Sequence, residues 1–228
     1  MMIIFFYVYI IMELCFYWIN LEREKKRRQH IEEEFKKYNI KNMRIEAVQG
    51  NAHREDRELA CTQSHIKAMK AFLATNDPYA IICEDDLSFE YKKYWTHSLE
   101  EVINNAPPDW QIIQLGFIIS EIGPEFYNSQ TNYLPHLRHY WSTICYIVNR
   151  EGAKKITEFT LDTRNRNLFV ADCIIYSLAK TYTYKYPMFT CMDNNKSSIH
   201  VNHNTYDIKS KKLTNHFMKE QFGKKNHN

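Results

Sequence analysis

Apolar and polar positions fall into blocks along the chain, and the period of the blocks changes repeatedly. "LCFYWIN" (14–20) is a dense apolar run bounded by charge, the pattern of a strand covered on both faces. In the next segment, "REKKRRQHIEEEFKKYNI", Ile31, Phe35 and Tyr38 recur at helical spacing among charges, which predicts an amphipathic surface helix. "MRIEAVQG" reads as a short strand closed by Gly50. "RELACTQSHIKAMKAFLATND" predicts a second helix, with Leu59, Ile66, Met69, Ala71 and Phe72 on its buried side. Asp77-Pro78 ends it, because proline disfavours helix in the residue before it. "YAIIC" is the next strand, and three acids, Glu84, Asp85 and Asp86, stand at its C-terminal end. "KYWTHSLEEVINNA" reads as a helix stopped by Pro107-Pro108, "WQIIQLGF" as a strand and residues 120–138 as an irregular loop. "STICYIVN" is a strand, "REGAKKITEF" and "DCIIYSLAK" are helices, and "YTYKYPMF" is a strand. Residues 205–228 read as a polar, Lys-rich tail, frayed or loosely helical. The alternation predicts an α/β fold, a mostly parallel central sheet with helices on both faces. Ligands of such sheets bind outside the carboxyl ends of the strands, and that is where the acids stand.

Composition narrows the class. A chain of 228 residues suits one α/β domain, at roughly 100–200 residues per domain. Its 44% hydrophobic and 25% charged content is that of a globular protein. The net charge of +3 is small and the basic blocks are interleaved with acids, which argues against a nucleic-acid partner. With only five glycines, neither GxGxxG nor a Walker loop can be written, so the common nucleotide fingerprints are excluded. None of the six cysteines forms CxxC, which suggests single buried thiols in a reducing, cytoplasmic compartment. The N-terminal run is broken by Glu13, well short of the roughly 20 apolar residues that span a bilayer. It also lacks the charge and cleavage site of a secretory signal. Residues 1–11 are therefore expected to be a hydrophobic extension and 12–204 the folded domain. The basic residues at 23–28 keep membrane association through a weak anchor open.

The acids allow three kinds of chemistry. They could end a strand in water, work as an acid/base pair, or hold a hard cation, Mn²⁺ or Mg²⁺, that also touches substrate phosphates. In an extended chain Glu84 and Asp86 share a face and Asp85 points away. Cys61, Ser64 and His65, at i, i+3 and i+4, share one helical face. No third group orients them as a nucleophile, and two soft ligands do not make a zinc site. Cys61 then reads as a buried thiol, and Ser64 and His65 as structural or pocket residues. Asn20, at a strand-to-helix junction, either fixes a base or caps a helix. Arg23 and Arg27 either meet a ligand or pair with glutamates on an exposed helix. Asp172, ahead of "CIIYSL", is either a helix N-cap or a general base. His200 follows "SSI" and is a further candidate ligand.

Several landmarks occur together in order. "WINLEREKKRRQHI" resembles an "INLdrs-dRr" opening and places Asn20, Leu21, Arg23 and Arg27 on its positions. "EAVQG" resembles "AvdG", and "ELACTQSH" resembles "EiGCxxSH", matching Glu58, Cys61, Ser64 and His65. "IICEDD" resembles a strand-plus-acid motif of the DxD kind, and "DWQIIQLG", "CYIVNREGAKKI", "VADCIIYSL" and "SSI" follow in the expected order. Across roughly residues 15–200 the chain resembles glycosyltransferase family 25, which includes lipooligosaccharide and procollagen galactosyltransferases. The resemblance implies a single GT-A-like domain with 12–204 as the catalytic part. It implies transfer of galactose or glucose from a UDP-sugar to a hydroxyl on a glycan or a hydroxylysine, with inversion and with Mn²⁺ or Mg²⁺. On that reading Asp86 meets the metal, with Glu84 and His200. Asn20, Arg23, Arg27, Ser64, His65, Glu84 and Asp85 serve the donor, and Asp172 is the base. Two family glycines are replaced, by Arg57 and Ala60. Those departures motivate a second reading, a catalytically impaired relative that binds a sugar nucleotide or serves an assembly. A metal-dependent phosphotransferase or nuclease is a third, and it lacks the further dispersed acids and partnering lysine such enzymes need.

Overall fold

Every residue of β1 (Phe16–Asn20) is buried, so this strand lies inside the sheet and not at its edge. The computed structural model describes residues 14–160, 170–192 and 204–223; the expectations for residues 1–11 and for His200 lie outside the described residues. β1 pairs in parallel with β2 (Asn42–Glu46) on one side and β3 (Tyr79–Glu84) on the other. The seven-stranded order is then completed by β7 (Cys145–Asn149), β5 (Ile112–Gln114), β8 (Thr181–Tyr184) and β6 (Tyr133–Pro135). β7 is antiparallel to both β3 and β5, β5 is parallel to β8, and β6 is antiparallel to β8. Five strands thus point one way and two, β7 and β6, the other, so the sheet is mostly parallel. The reversal of β7 was not legible, because an apolar run carries no direction.

Side chains alternate across the sheet with period two. Phe16, Trp18, Ile81 and Cys83 face one side, where α1 (Lys25–Lys37) brings Ile31 and Phe35 and α3 (Leu99–Asn104) brings Val102 and Ile103. Tyr17, Ile19, Ile82 and Tyr146 face the other, packed by α2 (Arg54–Leu73), α5 (Arg150–Glu158) and α6 (Ala171–Leu178) through Met69, Phe72, Ile156 and Ile175. Helices therefore cover both faces, as the alternation predicts.

Four local expectations need correction. The helix expected over 93–106 is a 3₁₀ turn, Glu90–Tyr94, followed by a separate α3. Ser98 and Glu101 form a reciprocal capping box that starts α3 where it does. Residues 120–138 are not all irregular, since they contain α4 (Pro124–Asn128) and β6. A two-stranded ribbon of β4 (Leu87–Ser88) and β9 (Thr190–Cys191) follows the acids. Finally, the polar tail read as frayed or loosely helical is helical, and α7 (Asn204–Phe222) is packed and not loose. Its Phe217, Met218 and Phe222 are buried with Phe117, Phe126 and Tyr140, and Ser210 Oγ accepts a 2.9 Å bond from the Ile119 amide. The lysines hid an apolar stripe. Among the described residues no helix is long and apolar enough to cross a membrane. All six cysteines are free, and Cys173 is exposed where a buried thiol was expected.

Candidate active site

β3 carries "YAIIC" through the core and ends at Glu84; Asp85 and Asp86 form a turn into β4. The Met192 amide, just past β9, donates to the Asp86 carbonyl at 2.8 Å and fixes that turn. The alternation argument therefore stops at Glu84, and the expected shared face of Glu84 and Asp86 does not follow from an extended chain. Proximity replaces it, because all three acids gather at the end of β3.

Neighbouring elements hold them there. Asn20, at the carboxyl end of β1, donates from Nδ2 to Asp85 Oδ2 at 2.7 Å, while its Oδ1 accepts from Arg44 Nε at 3.0 Å. It supports Asp85 from behind and is buried, and is not among the residues that line the cleft. Arg27, Ile31 and Phe35 are spaced by four and make up the buried stripe of α1. Arg27 is thus turned inward, and the expectation that it decorates an exposed face is corrected. Its Nη1 lies 3.0 Å from Asp85 Oδ1 and 3.8 Å from Asp86 Oδ2.

α2 has an unusual buried side. Its last turns bury Ala68, Met69 and Phe72, but from Glu58 to His65 it buries Glu58, Ala60, Thr62, Ser64 and His65. Leu59 and Ile66, which the apolar period placed inward, are half-buried, Ile66 against the edge of the core. His65 reaches the acids, and Ser64 lines the cleft beside them. Ser64 Oγ donates to the Ala60 carbonyl at 2.6 Å and accepts from the Val48 amide at 2.8 Å, which ties the β2–α2 loop to the helix. His65 is 0% exposed, with Nδ1 3.1 Å from Tyr146 Oη and Nε2 3.8 Å from Glu84 Oε1. Glu84 Oε1 also accepts from Thr143 Oγ1 at 2.8 Å. That contact exists because β7 runs backwards, so its start meets the end of β3.

The residue before Thr143 is held out of its ordinary conformation. Ser142 has φ 90°, a region that L-residues rarely occupy. Its amide donates to Asp172 Oδ2 at 2.9 Å, and its carbonyl accepts from Tyr176 Oη at 2.9 Å and Gln114 Nε2 at 3.1 Å. Asp172 is the second residue of α6, whose N-cap is Val170, so the N-cap reading of Asp172 is corrected. Its Oδ1 accepts from the Cys173 amide at 2.8 Å.

Electrostatics at this end of the sheet are lopsided, with three carboxylates against one guanidinium. Burial, and then the charge of Glu84, push Asp86 up to about 7 despite Arg27. Burial also raises Asp85, although Arg27 and Asn20 pull against it. Glu84 moves the other way: burial raises it, but the neighbouring His65 and the hydrogen bond from Thr143 outweigh that. Burial opposes the charge on Arg27, yet Asp86 and Asp85 overcome it and its pKa rises. Burial, with Glu84 next, holds the Cys61 thiol well above its ordinary value, so Cys61 is no thiolate nucleophile.

Beside the acids an open cleft of about 560 Å³, solvent at its mouth included, lies at the carboxyl ends of β1 to β3. Arg23, Arg27 and Arg57 line it together with Ser64, His65, Glu84 and Asp85. A family model described as glycosyltransferase family 25 (LPS biosynthesis protein) matches residues 14–175. The chain belongs to glycosyltransferase family 25. The matched span takes in all the cleft residues and Asp172. Among solved structures, the chain is similar to "a glycosyltransferase involved in the glycosylation of the major capsid of PBCV-1", at 10% identity and a TM-score of 0.38. The alignment covers 63% of each chain, so this chain spans less than two thirds of that protein. No curated protein matches.

Among the described residues, no three His, Cys, Asp or Glu side chains are gathered as a metal-ligand set. Glu84, Asp85 and Asp86 do offer hard oxygen donors with excess negative charge, which suits Mn²⁺ or Mg²⁺ if substrate oxygens complete the shell. Thr143, Tyr146 and Arg57 escaped sequence reasoning. Thr143 and Tyr146 sit inside a run that reads only as a strand, and Arg57 registered only as a lost glycine.

Proposed function

We propose that the protein transfers a hexose, galactose or glucose, from a UDP-sugar in the arginine-lined cleft to a hydroxyl on a glycan. One observation carries this reading: Glu84, Asp85, Asp86 and Arg27 converge at the carboxyl end of β3, beside a cleft walled by further arginines. Carboxylates with positive side chains beyond them match a donor whose sugar lies inward and whose diphosphate lies outward. The family's description as LPS biosynthesis favours a glycan acceptor over hydroxylysine.

Mn²⁺ or Mg²⁺ held by Asp86 and Glu84 would supply charge to offset the departing diphosphate. The protein's own groups set the stage for direct displacement with inversion. His65 and Thr143 fix the Glu84 carboxylate, Asn20 and Arg27 fix Asp85, and Ser64 fixes the floor of the cleft at Val48. Asp172, which holds Ser142 beside Thr143, is the carboxylate assigned to take the acceptor proton.

The test is UDP release from a panel of UDP-sugars, with and without Mn²⁺ and with bacterial-type oligosaccharide acceptors. Turnover that falls at least a hundredfold with Asp86→Asn supports the reading. Metal-independent turnover with Asp86→Asn fully active refutes it. Tight UDP binding without turnover across the panel would select the impaired, nucleotide-binding relative instead.

A further inference from the structure

The cleft wall carries three arginines against two carboxylates. Arg27 is matched at the inner end by Asp85 at 3.0 Å, with Asp86 beyond. Arg23 sits at the rim, 48% exposed and 3.6 Å from Glu24 in a loose contact. Arg57 projects from the first turns of α2, and its Nη1 donates to the Ala52 carbonyl at 2.6 Å. Its backbone is locked as well. A Cβ at Gly50 would stand 2.7 Å from Arg57 Cα and 2.7 Å from the Asp56 carbonyl oxygen, so only glycine lets the β2–α2 loop close on the helix here. A guanidinium so anchored fixes a positive charge at the cleft wall, the kind of group that meets phosphate oxygens.

We propose that Arg57, with Arg23 at the rim, grips the diphosphate of the donor and sets the affinity difference between nucleoside diphosphates and monophosphates. This rests on the sugar-nucleotide reading of the cleft. The family pattern has glycine at this position, so the grip belongs to this chain and is not inherited from the shared motif. It also gives the departure a chemical purpose: the close approach of the helix backbone is relieved by Gly50, and the side chain at 57 stands on the cleft wall.

Calorimetry on the full chain with UDP, UMP and inorganic pyrophosphate, each with Mn²⁺, tests it on the wild type, Arg57→Gln and Arg57→Lys. The wild type is expected to prefer UDP to UMP and to bind pyrophosphate. In Arg57→Gln, UDP and pyrophosphate affinity should fall about tenfold or more, the scale of lost charge-assisted bonds, with UMP little changed. Arg57→Lys, which keeps the charge and loses the anchored planar guanidinium, should fall between the two, and it carries the test if the glutamine variant fails to fold. Both variants binding UDP as the wild type does, or losing UDP and UMP equally, overturns the assignment of Arg57 alone. A wild type that binds none of the three probes overturns the sugar-nucleotide reading and the assignment with it.

Discussion

Replacing Arg27 by methionine isolates the cost of the acid cluster. At an effective dielectric of about 20, opposite unit charges at the 3.0 Å Arg27–Asp85 spacing attract by about 5.5 kcal/mol, and at the 3.8 Å Arg27–Asp86 spacing by about 4 kcal/mol. Desolvation of three buried ions offsets much of that, and removing one member of a buried pair typically costs about 3–5 kcal/mol. The expected loss is in that range at pH 8. It should shrink at pH 5, for a reason that fixes the sign. Asp86 in the fold binds its proton more tightly than the unfolded chain does, with a pKa of about 7 against an ordinary 3.8. A group of that kind makes stability fall as pH rises between those two values. Without Arg27, Asp86 is pushed higher still, so at pH 5 it is neutral and the missing cation matters less. Urea denaturation of wild type and Arg27→Met at pH 5 and pH 8 measures this. Equal losses at the two pH values, or a loss under about 1 kcal/mol at pH 8, would refute the electrostatic account.

Four further outcomes follow from the same geometry. Gly50→Ala must displace the α2 backbone, so unfolding stability should drop by about 1–3 kcal/mol, read by thermal or urea melts; an unchanged midpoint contradicts the close approach. Thr143→Val removes the donor to Glu84 and should cost about 0.5–1.5 kcal/mol, with kcat falling more than KM rises, whereas Thr143→Ser should restore both. Asp172→Asn should lower kcat by about 10²–10⁴-fold if the carboxylate is the base, with the melting point nearly kept; a large melting shift with kcat within tenfold would make it only the staple of Ser142. Mn²⁺ and the proton compete for Asp86, so Mn²⁺ affinity should weaken as pH falls below about 7, and calorimetry showing the same affinity at pH 5.5 and pH 8 would count against Asp86 as ligand.

What the sequence discloses and what it hides divide along physical lines. β1, β3 and α1 are legible because a dense apolar run or a four-residue stripe is enforced by burial alone. The acids of "CEDD" are legible as a cluster because charge next to a buried strand is costly unless it serves something. Direction is not encoded that way, so reversed β7, and with it the Thr143–Glu84 contact, stays invisible. Buried polar residues are hidden for the opposite reason. Ser64 and His65 read from spacing as structural or pocket residues, but the partners that make them hydrogen-bonded supports, Val48 and Tyr146, are not legible from it. Arg27 and Asn20 belong to the same group, since their partner lies more than fifty residues away. The packing of α7 was hidden because the lysines on its wet face dilute the three large side chains that anchor it.

The central place of β7 has a consequence for how the chain can be made. β1, β2 and β3 are all present once synthesis reaches Glu84, and Ile81, Ile82 and Cys83 are fully buried in the finished sheet. The second edge of β3 is covered only when β7 arrives at Cys145. A nascent or truncated chain ending between those points therefore carries an open, apolar strand edge that can pair with another copy. A fragment that stops at Glu84 should aggregate if expressed alone, and any fragment meant to keep the cleft must run past Asn149.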